Sequence, residues 1–174
     1  MSERIRYAWG QSSLGDFIAA ISDEGLVAFE FMKRSGGVPT ALRERFPGAA
    51  IDLDEAGLAD VVGRLAAVVE RPDIDAGLPL DMRGSDYQKK VWGILCRVPA
   101  GQTTSYGAIA TEMGTPLDAR DVTDAIANNT IAILIPCHRV VKKDGSLSGY
   151  RWGAKRKRAL LAREQHHGEF RLVS

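Results

Sequence analysis

The chain is short of cysteine, of long apolar runs and of net charge, and each shortage removes a class of protein. Among 174 residues only Cys96 and Cys137 are cysteines, too few for a disulfide framework or a four-ligand zinc site. No stretch approaches the roughly 20 apolar residues that a membrane span requires. The opening M-S-E-R-I-R-Y lacks the apolar core of a secretion signal, so a cytoplasmic protein with reduced thiols is expected. The 45% hydrophobic and 26% charged residues are those of a soluble globular chain, long enough for one ordinary domain or two small ones.

The net charge of +1 conceals an asymmetry. Residues 1–79 hold 8 Lys and Arg against 13 Asp and Glu, a balance of −5; residues 80–174 hold 15 against 9, a balance of +6. A basic half of this kind is the footprint expected of a nucleic-acid-binding surface.

Patterning divides the chain at about the same place. Arg4 to Trp9, Phe17 to Ile21 and Leu26 to Met32 are β-prone runs separated by turn residues. A short helix is expected at 40–46, and Leu58, Val61, Val62, Leu65, Val68 and Val69 recur at helical spacing. The loop with Pro72, Gly77 and Pro79 marks the expected boundary between domains 1–79 and 80–174. Beyond it, Ser85 and Gln88 form a capping box ahead of Val91, Trp92 and Leu95. Ser105 opens a short helix that stops at Gly114; Thr115, Pro116 and Asp118 then suit the start of another, running to Asn128 and Asn129. Two helices joined by a tight glycine turn fit a helix-turn-helix. A last helix is expected over about Lys155 to Glu164, with Leu160 and Leu161 inward. The class is α+β: a small N-terminal sheet with helices, then a mostly helical part.

The most informative segment is Ile131 to Val141, where an apolar run delivers Pro136-Cys137-His138-Arg139. Neighbouring cations favour the nucleophilic thiolate. Alone, a free cysteine is more often a small buried packing residue. Cys96, between Leu95 and Arg97, reads as such a structural thiol on a packed helix.

I-P-C-H-R-V-V, with Asn129 eight residues before the cysteine, resembles the active-site signature of the O6-alkylguanine-DNA alkyltransferases, the methylated-DNA–protein-cysteine methyltransferases. R-G-S-D-Y-Q-K-K-V-W, V-P-A-G-Q-T-T-S-Y-G-A-I-A, S-G-Y-R-W-G and L-L-A-R-E resemble that family in the same order, most nearly the C-terminal domain of bacterial Ada-type proteins. The strong motifs cover residues 81–164. The resemblance implies an RNase H-like N-terminal support domain and a winged helix-turn-helix-like C-terminal domain.

It also implies roles. Cys137 would accept the alkyl group irreversibly, in one turnover, as a cysteine S-methyltransferase. His138 would take the thiol proton through water, oriented by Glu164, a Ser-His-Asp logic with another nucleophile. Tyr106 would protonate the departing guanine, and Asn129 would close the turn between the recognition helix and a cysteine-bearing strand. Tyr150, with the backbone of Val140 and Arg151, would wall the guanine pocket, and Lys157 would assist from the last helix. Otherwise K-R-K-R at 155–158 reads as phosphate contacts. Thr104 and Ser105 would touch DNA, and Arg120 would fill the stack after the base is flipped from double-stranded DNA through the minor groove. O4-alkylthymine is a second candidate substrate. No cofactor and no metal is implied: some relatives hold zinc in the N-terminal domain, but residues 1–79 contain neither Cys nor His. A monomer in a bacterial cytosol or nucleoid is expected, with no membrane partner and with cooperativity on DNA left open.

Two departures stand out. Asp121, Thr123 and Asp124 occupy the groove-facing surface that relatives build from small residues, and carboxylates repel phosphates. Trp152 stands where some relatives carry glycine, which predicts a pocket that prefers methyl to benzyl. Two other readings compete: a non-catalytic alkyl-damage sensor binding DNA through the same helices, and a Cys-His hydrolase.

Overall fold

In the computed structural model, backbone is described for residues 3–114 and 119–173, and side chains for these except 119 and 166–173. The three expected strands form at Arg4–Gly10 (β1), Phe17–Ile21 (β2) and Leu26–Phe31 (β3). β1 pairs antiparallel with β2, placing Ala8 opposite Ala19, and β2 pairs with β3, placing Ala19 opposite Phe29. Helix α1 (Thr40–Arg45) follows, then a strand with no counterpart in the sequence reading, β4 (Ala50–Leu53), which runs parallel to β1. β4 is four residues long and mostly exposed at the edge of the order β3-β2-β1-β4, so it lacks the buried alternation that signals a strand.

Both faces of this sheet are buried. Ile5, Tyr7, Trp9, Ile18 and Val27 pack with Leu42 and Phe46 from the region of α1. Phe17, Ala19, Phe29 and Phe31 pack on the other side with Leu65, Val68 and Val69 of α2 (Ala59–Glu70), and with Val91, Trp92, Leu95, Ile131 and Cys137. That second cluster joins residues from both sides of position 79, which is why β3 is apolar on both faces.

The free edge of β3 is covered by the second half of the chain. Leu26 N–H donates to Pro79 O and Asp81 N–H to Leu26 O; Phe29 N–H donates to Thr130 O and Ala132 N–H to Phe29 O, all at 2.8–2.9 Å. Covering an edge strand satisfies its backbone groups and prevents pairing with other chains. Gly25 permits the first of these contacts, since a Cβ there would lie 2.6 Å from Pro79 O.

The rest is helical: α3 (Asp86–Cys96), α4 (Tyr106–Met113), α5 (Ala119–Ala127) and α6 (Ala154–Val173). Ser85 Oγ accepts from Gln88 N–H, and Gln88 Oε1 accepts from Ser85 N–H, the expected capping box. Ser105 caps α4, and Gly114 ends it in the left-handed conformation at φ 71°, a cap that glycine adopts without a Cβ penalty. The expected cap at Thr115, Pro116 and Asp118 lies outside the described residues. A two-stranded parallel pairing links Thr104–Ser105 (β5) to Val140–Val141 (β6). Helix α6 runs beyond the expected end at Glu164; Leu160 is buried as expected, while Leu161 is only partly so. Among the described residues, no helix is long and apolar enough to cross a membrane.

Candidate active site

The expected cysteine-bearing strand does not form. Residues 131–136 fold back in turns, with Ile133 at φ 67°, and Cys137 opens a single 3-10 turn, Cys137–Arg139. Asn129, fully buried, holds this fold-back. Its Oδ1 accepts from Ile131 N–H at 2.9 Å, and its Nδ2 lies 3.2 Å from Ile131 O, 3.1 Å from Ile135 O and 3.3 Å from Cys137 Sγ. A side-chain amide that competes for backbone groups displaces regular structure, here in a run whose β-branched residues otherwise favour a strand. One residue thus fixes the turn and touches the thiol.

Cys137 is 3% exposed. Burial pushes its thiol up to about 11, against the opposing pull of the Asn129 amide and of the Lys157 and Arg151 cations. At neutral pH the resting group is the thiol, so a base must act when substrate arrives.

The next residue supplies one. His138 and Glu164 are both buried, with Nε2 2.5 Å from Glu164 Oε1, although 26 residues separate them. Burial holds the imidazole below its ordinary value, outweighing Glu164. The Glu164 carboxyl is lowered: burial works the other way, but hydrogen bonds from His138 and Arg139 prevail. A carboxylate only accepts, so Nε2 carries the hydrogen and Nδ1 the lone pair. Nδ1 is buried and makes no hydrogen bond within the protein.

Arg139, read from sequence only as a cation beside the thiol, turns instead to Glu164. It donates from Nε and Nη2 to Glu164 at 2.9–3.1 Å, and also to Val98 O and Pro72 O. Gly101 N–H adds a further donor to Glu164 at 3.2 Å. No local pattern links positions 72, 98, 101, 139 and 164, so only folding reveals this cluster.

A second network lies beside the first. Tyr106 Oη and Lys157 Nζ both donate to Ser148 Oγ, at 2.7 and 2.8 Å, and Lys157 also reaches Gly149 O at 3.3 Å. Lys157 is buried, which lowers it to about 8. Its side chain thus points into the protein, and Arg156 binds Leu14 O and Trp152 O. Ser148, the bridge, was given no role from sequence, although it opens the S-G-Y-R-W-G motif. The buried Tyr150 hydroxyl makes no hydrogen bond within the protein, and burial and the nearby Cys137 raise it well above its ordinary value. Its ring meets Trp152 edge-on at 5.3 Å.

The fold thus gathers Cys137, His138, Glu164, Asn129, Tyr150 and Lys157, with Tyr106 joined through Ser148. Val140 is buried and paired with Thr104, while Ser105 caps α4. Arg151 is exposed overall, yet its guanidinium donates to Glu30 and to Ala127 O. Arg120, at the start of α5, is exposed, as are Asp121 and Asp124. Cys96 is exposed as a residue, with its Sγ 3.7 Å from Leu134 O, and it lines with Arg139 a cavity of about 330 Å³. Among the described residues, no group of three His, Cys, Asp or Glu is placed to hold a metal ion.

Comparison with known proteins adds an independent line. Residues 86–166 match the family model described as 6-O-methylguanine DNA methyltransferase, DNA binding domain. The regulatory protein ada of Salmonella typhimurium is 38% identical over 95% of the chain and 47% of its own length, so the chain spans about half of that relative. The methylated-DNA–protein-cysteine methyltransferase of Mycobacterium bovis is 43% identical over 64% of the chain and 68% of its own length. A crystal structure of Mycobacterium tuberculosis OGT in complex with DNA superposes with a TM-score of 0.75 at 33% identity, covering 92% of this chain and 93% of that one.

Proposed function

The chain belongs to the 6-O-methylguanine DNA methyltransferase family, and from that premise we propose that it repairs DNA by moving an alkyl group from guanine O6 to Sγ of Cys137. The observation that carries the reading is a buried thiol, held by Asn129, immediately followed in sequence by a buried His138–Glu164 pair.

His138 Nδ1, through water, takes the thiol proton. The sulfur lone pair then forms the S–C bond as the C–O6 bond breaks, leaving the electron pair on the guanine. Tyr106 gives its proton to N3, so a neutral base departs. Lys157, cationic at neutral pH and joined to Tyr106 through Ser148, returns that proton. The product is a thioether that no group in the site removes, so each molecule acts once, without metal or organic cofactor.

A thiol at 3% exposure cannot meet a base still stacked in a duplex. The nucleotide therefore leaves the stack, with α4 and α5 as a winged helix-turn-helix in the minor groove, Arg120 in the vacated space, and Thr104 and Ser105 at the backbone. Tyr150 and the backbone of Val140 and Arg151 wall the pocket. In this reading residues 1–79, RNase H-like, support residues 80–174, and the protein is a cytoplasmic monomer in solution that acts on DNA.

The test is intact mass after incubation with duplex DNA containing O6-methylguanine. One added methyl group, mapped to Cys137 and absent in Cys137→Ser, is expected. An unchanged mass with bound DNA supports a sensor instead, and repeated release of product supports a hydrolase.

A further inference from the structure

Glu30 is a carboxylate at the penultimate position of an otherwise apolar strand, 3% exposed, and nothing in the chemistry above uses it. It sits on β3 opposite Ile18, on the face that packs against α1. Arg45 of α1 donates to its Oε2 at 3.0 Å, and Arg151 donates from Nε to its Oε1 at 3.0 Å. The pair with Arg45 lies within the N-terminal half; the pair with Arg151 crosses 121 residues to the loop that carries Tyr150.

Arg151 does more than meet Glu30. Its Nη1 donates to Ala127 O at 2.9 Å, at the C-terminal end of α5, where a cation also complements the helix dipole. Its guanidinium lies 5.8 Å from the ring centre of Trp152, whose ring in turn meets Tyr150. One guanidinium thus joins the pocket loop, the end of the DNA-facing helix and the sheet. The adjacent residue on β3, Phe29, hydrogen-bonds Thr130 and Ala132, which begin the turn leading to Cys137. Two neighbouring positions of a single strand therefore hold opposite sides of the site: the segment that presents the thiol and the loop that presents Tyr150.

We propose that Glu30 is a positioning residue for alkyl transfer: by fixing Arg151 it sets the distance between the Tyr150 loop, α5 and the Cys137 turn. The N-terminal sheet then acts on the reaction geometry as well as on folding. A buried carboxylate shared by two arginines suits this task because its planar, charge-assisted bonds fix direction as well as distance. A displacement of about 1 Å in such an arrangement is enough to slow a reaction roughly a hundredfold.

This inference rests on the alkyl-transfer reading, so wild type is assayed first: its methyl gain on Cys137 tests that reading by itself. Glu30→Gln, Arg151→Gln and the double variant are then compared in single-turnover transfer, normalised to active thiol, with duplex affinity measured on unmodified DNA. At saturating DNA, Glu30→Gln is expected to react roughly tenfold more slowly, with affinity within about twofold of wild type. The double variant should be no slower than Arg151→Gln alone, since both changes release the same contact. A merely structural Glu30 would lower the melting temperature and leave the rate per active thiol unchanged; that result overturns the proposal, as does simple additivity of the two changes. If Glu30→Gln does not fold, Arg151→Gln decides, because its side chain is partly exposed and Arg45 still neutralises Glu30. A wild-type rate at saturating DNA then overturns the idea.

Discussion

Replacing Glu164 with glutamine keeps the volume of the side chain and removes only its charge. In the native protein that carboxylate, 1% exposed, accepts from His138 Nε2, from Arg139 Nε and Nη2, and from Gly101 N–H. Glutamine offers one acceptor oxygen and sets an NH2 group against the remaining donors. Arg139, buried beside it, becomes an unneutralised cation, and breaking a buried pair from one side costs about 3–5 kcal/mol. In a chain of this length that lowers the melting temperature by roughly 6–20 °C. The depressed Glu164 carboxyl adds a pH signature. A group depressed on folding contributes stability that is present above its unfolded value of about 4.3 and is lost as pH falls through the folded one. The gap between wild type and variant should therefore be full at neutral pH and narrow in acid. Transfer should also slow by about a hundredfold or more, because the imidazole is no longer held with its lone pair at Nδ1. Differential scanning fluorimetry across pH and single-turnover kinetics measure both. A melting point within about a degree of wild type, with an unchanged rate, would refute the assignment of Glu164 as the anchor of this cluster.

Other outcomes are equally open to measurement. With Cys96→Ser as background, alkylation of free protein by iodoacetamide should accelerate with pH towards about 11, since burial favours the Cys137 thiol; a rate already level at neutral pH would show a standing thiolate. Changing Asp121 and Asp124 to alanine should tighten duplex binding, with the gain fading in high salt as charges are screened; equal affinities at low salt remove the repulsion argument. Trp152, 7% exposed and packed edge-on against Tyr150, leaves the pocket wall little room to yield. Methyl transfer should outpace benzyl transfer, and equal rates count against that view.

The parts legible in the sequence were those with local causes. Ser85 with Gln88, Ser105 and Gly114 act within a few residues of themselves, and the helix ends they imply are present. β1, β2 and β3 follow from their β-branched and aromatic runs. The strand before Cys137 was implied by the resemblance, and turns stand there because the Asn129 amide takes the backbone groups, a side-chain effect that hydrophobic patterning does not register. Residue type alone made Lys157 one of four surface cations and only the resemblance gave it a part in the site; the fold buries it against Ser148. The partners of Arg139 and Glu30 carry no local signal, since they lie far away in the chain.

The covered edge of β3 has a consequence for how such a unit is inherited and moved between proteins. The segment leading to the thiol completes a sheet that begins near the other end of the chain, through hydrogen bonds at Phe29 and through the shared packing of Phe17, Phe29, Trp92 and Ile131. A cut near residue 79 would strip that edge bare and leave the packing face of α3 in water. Recombination or engineering that borrows the motif-bearing half alone would carry the Cys137, His138 and Glu164 cluster without the strand that registers it. The transferable piece is the sheet and the helices together.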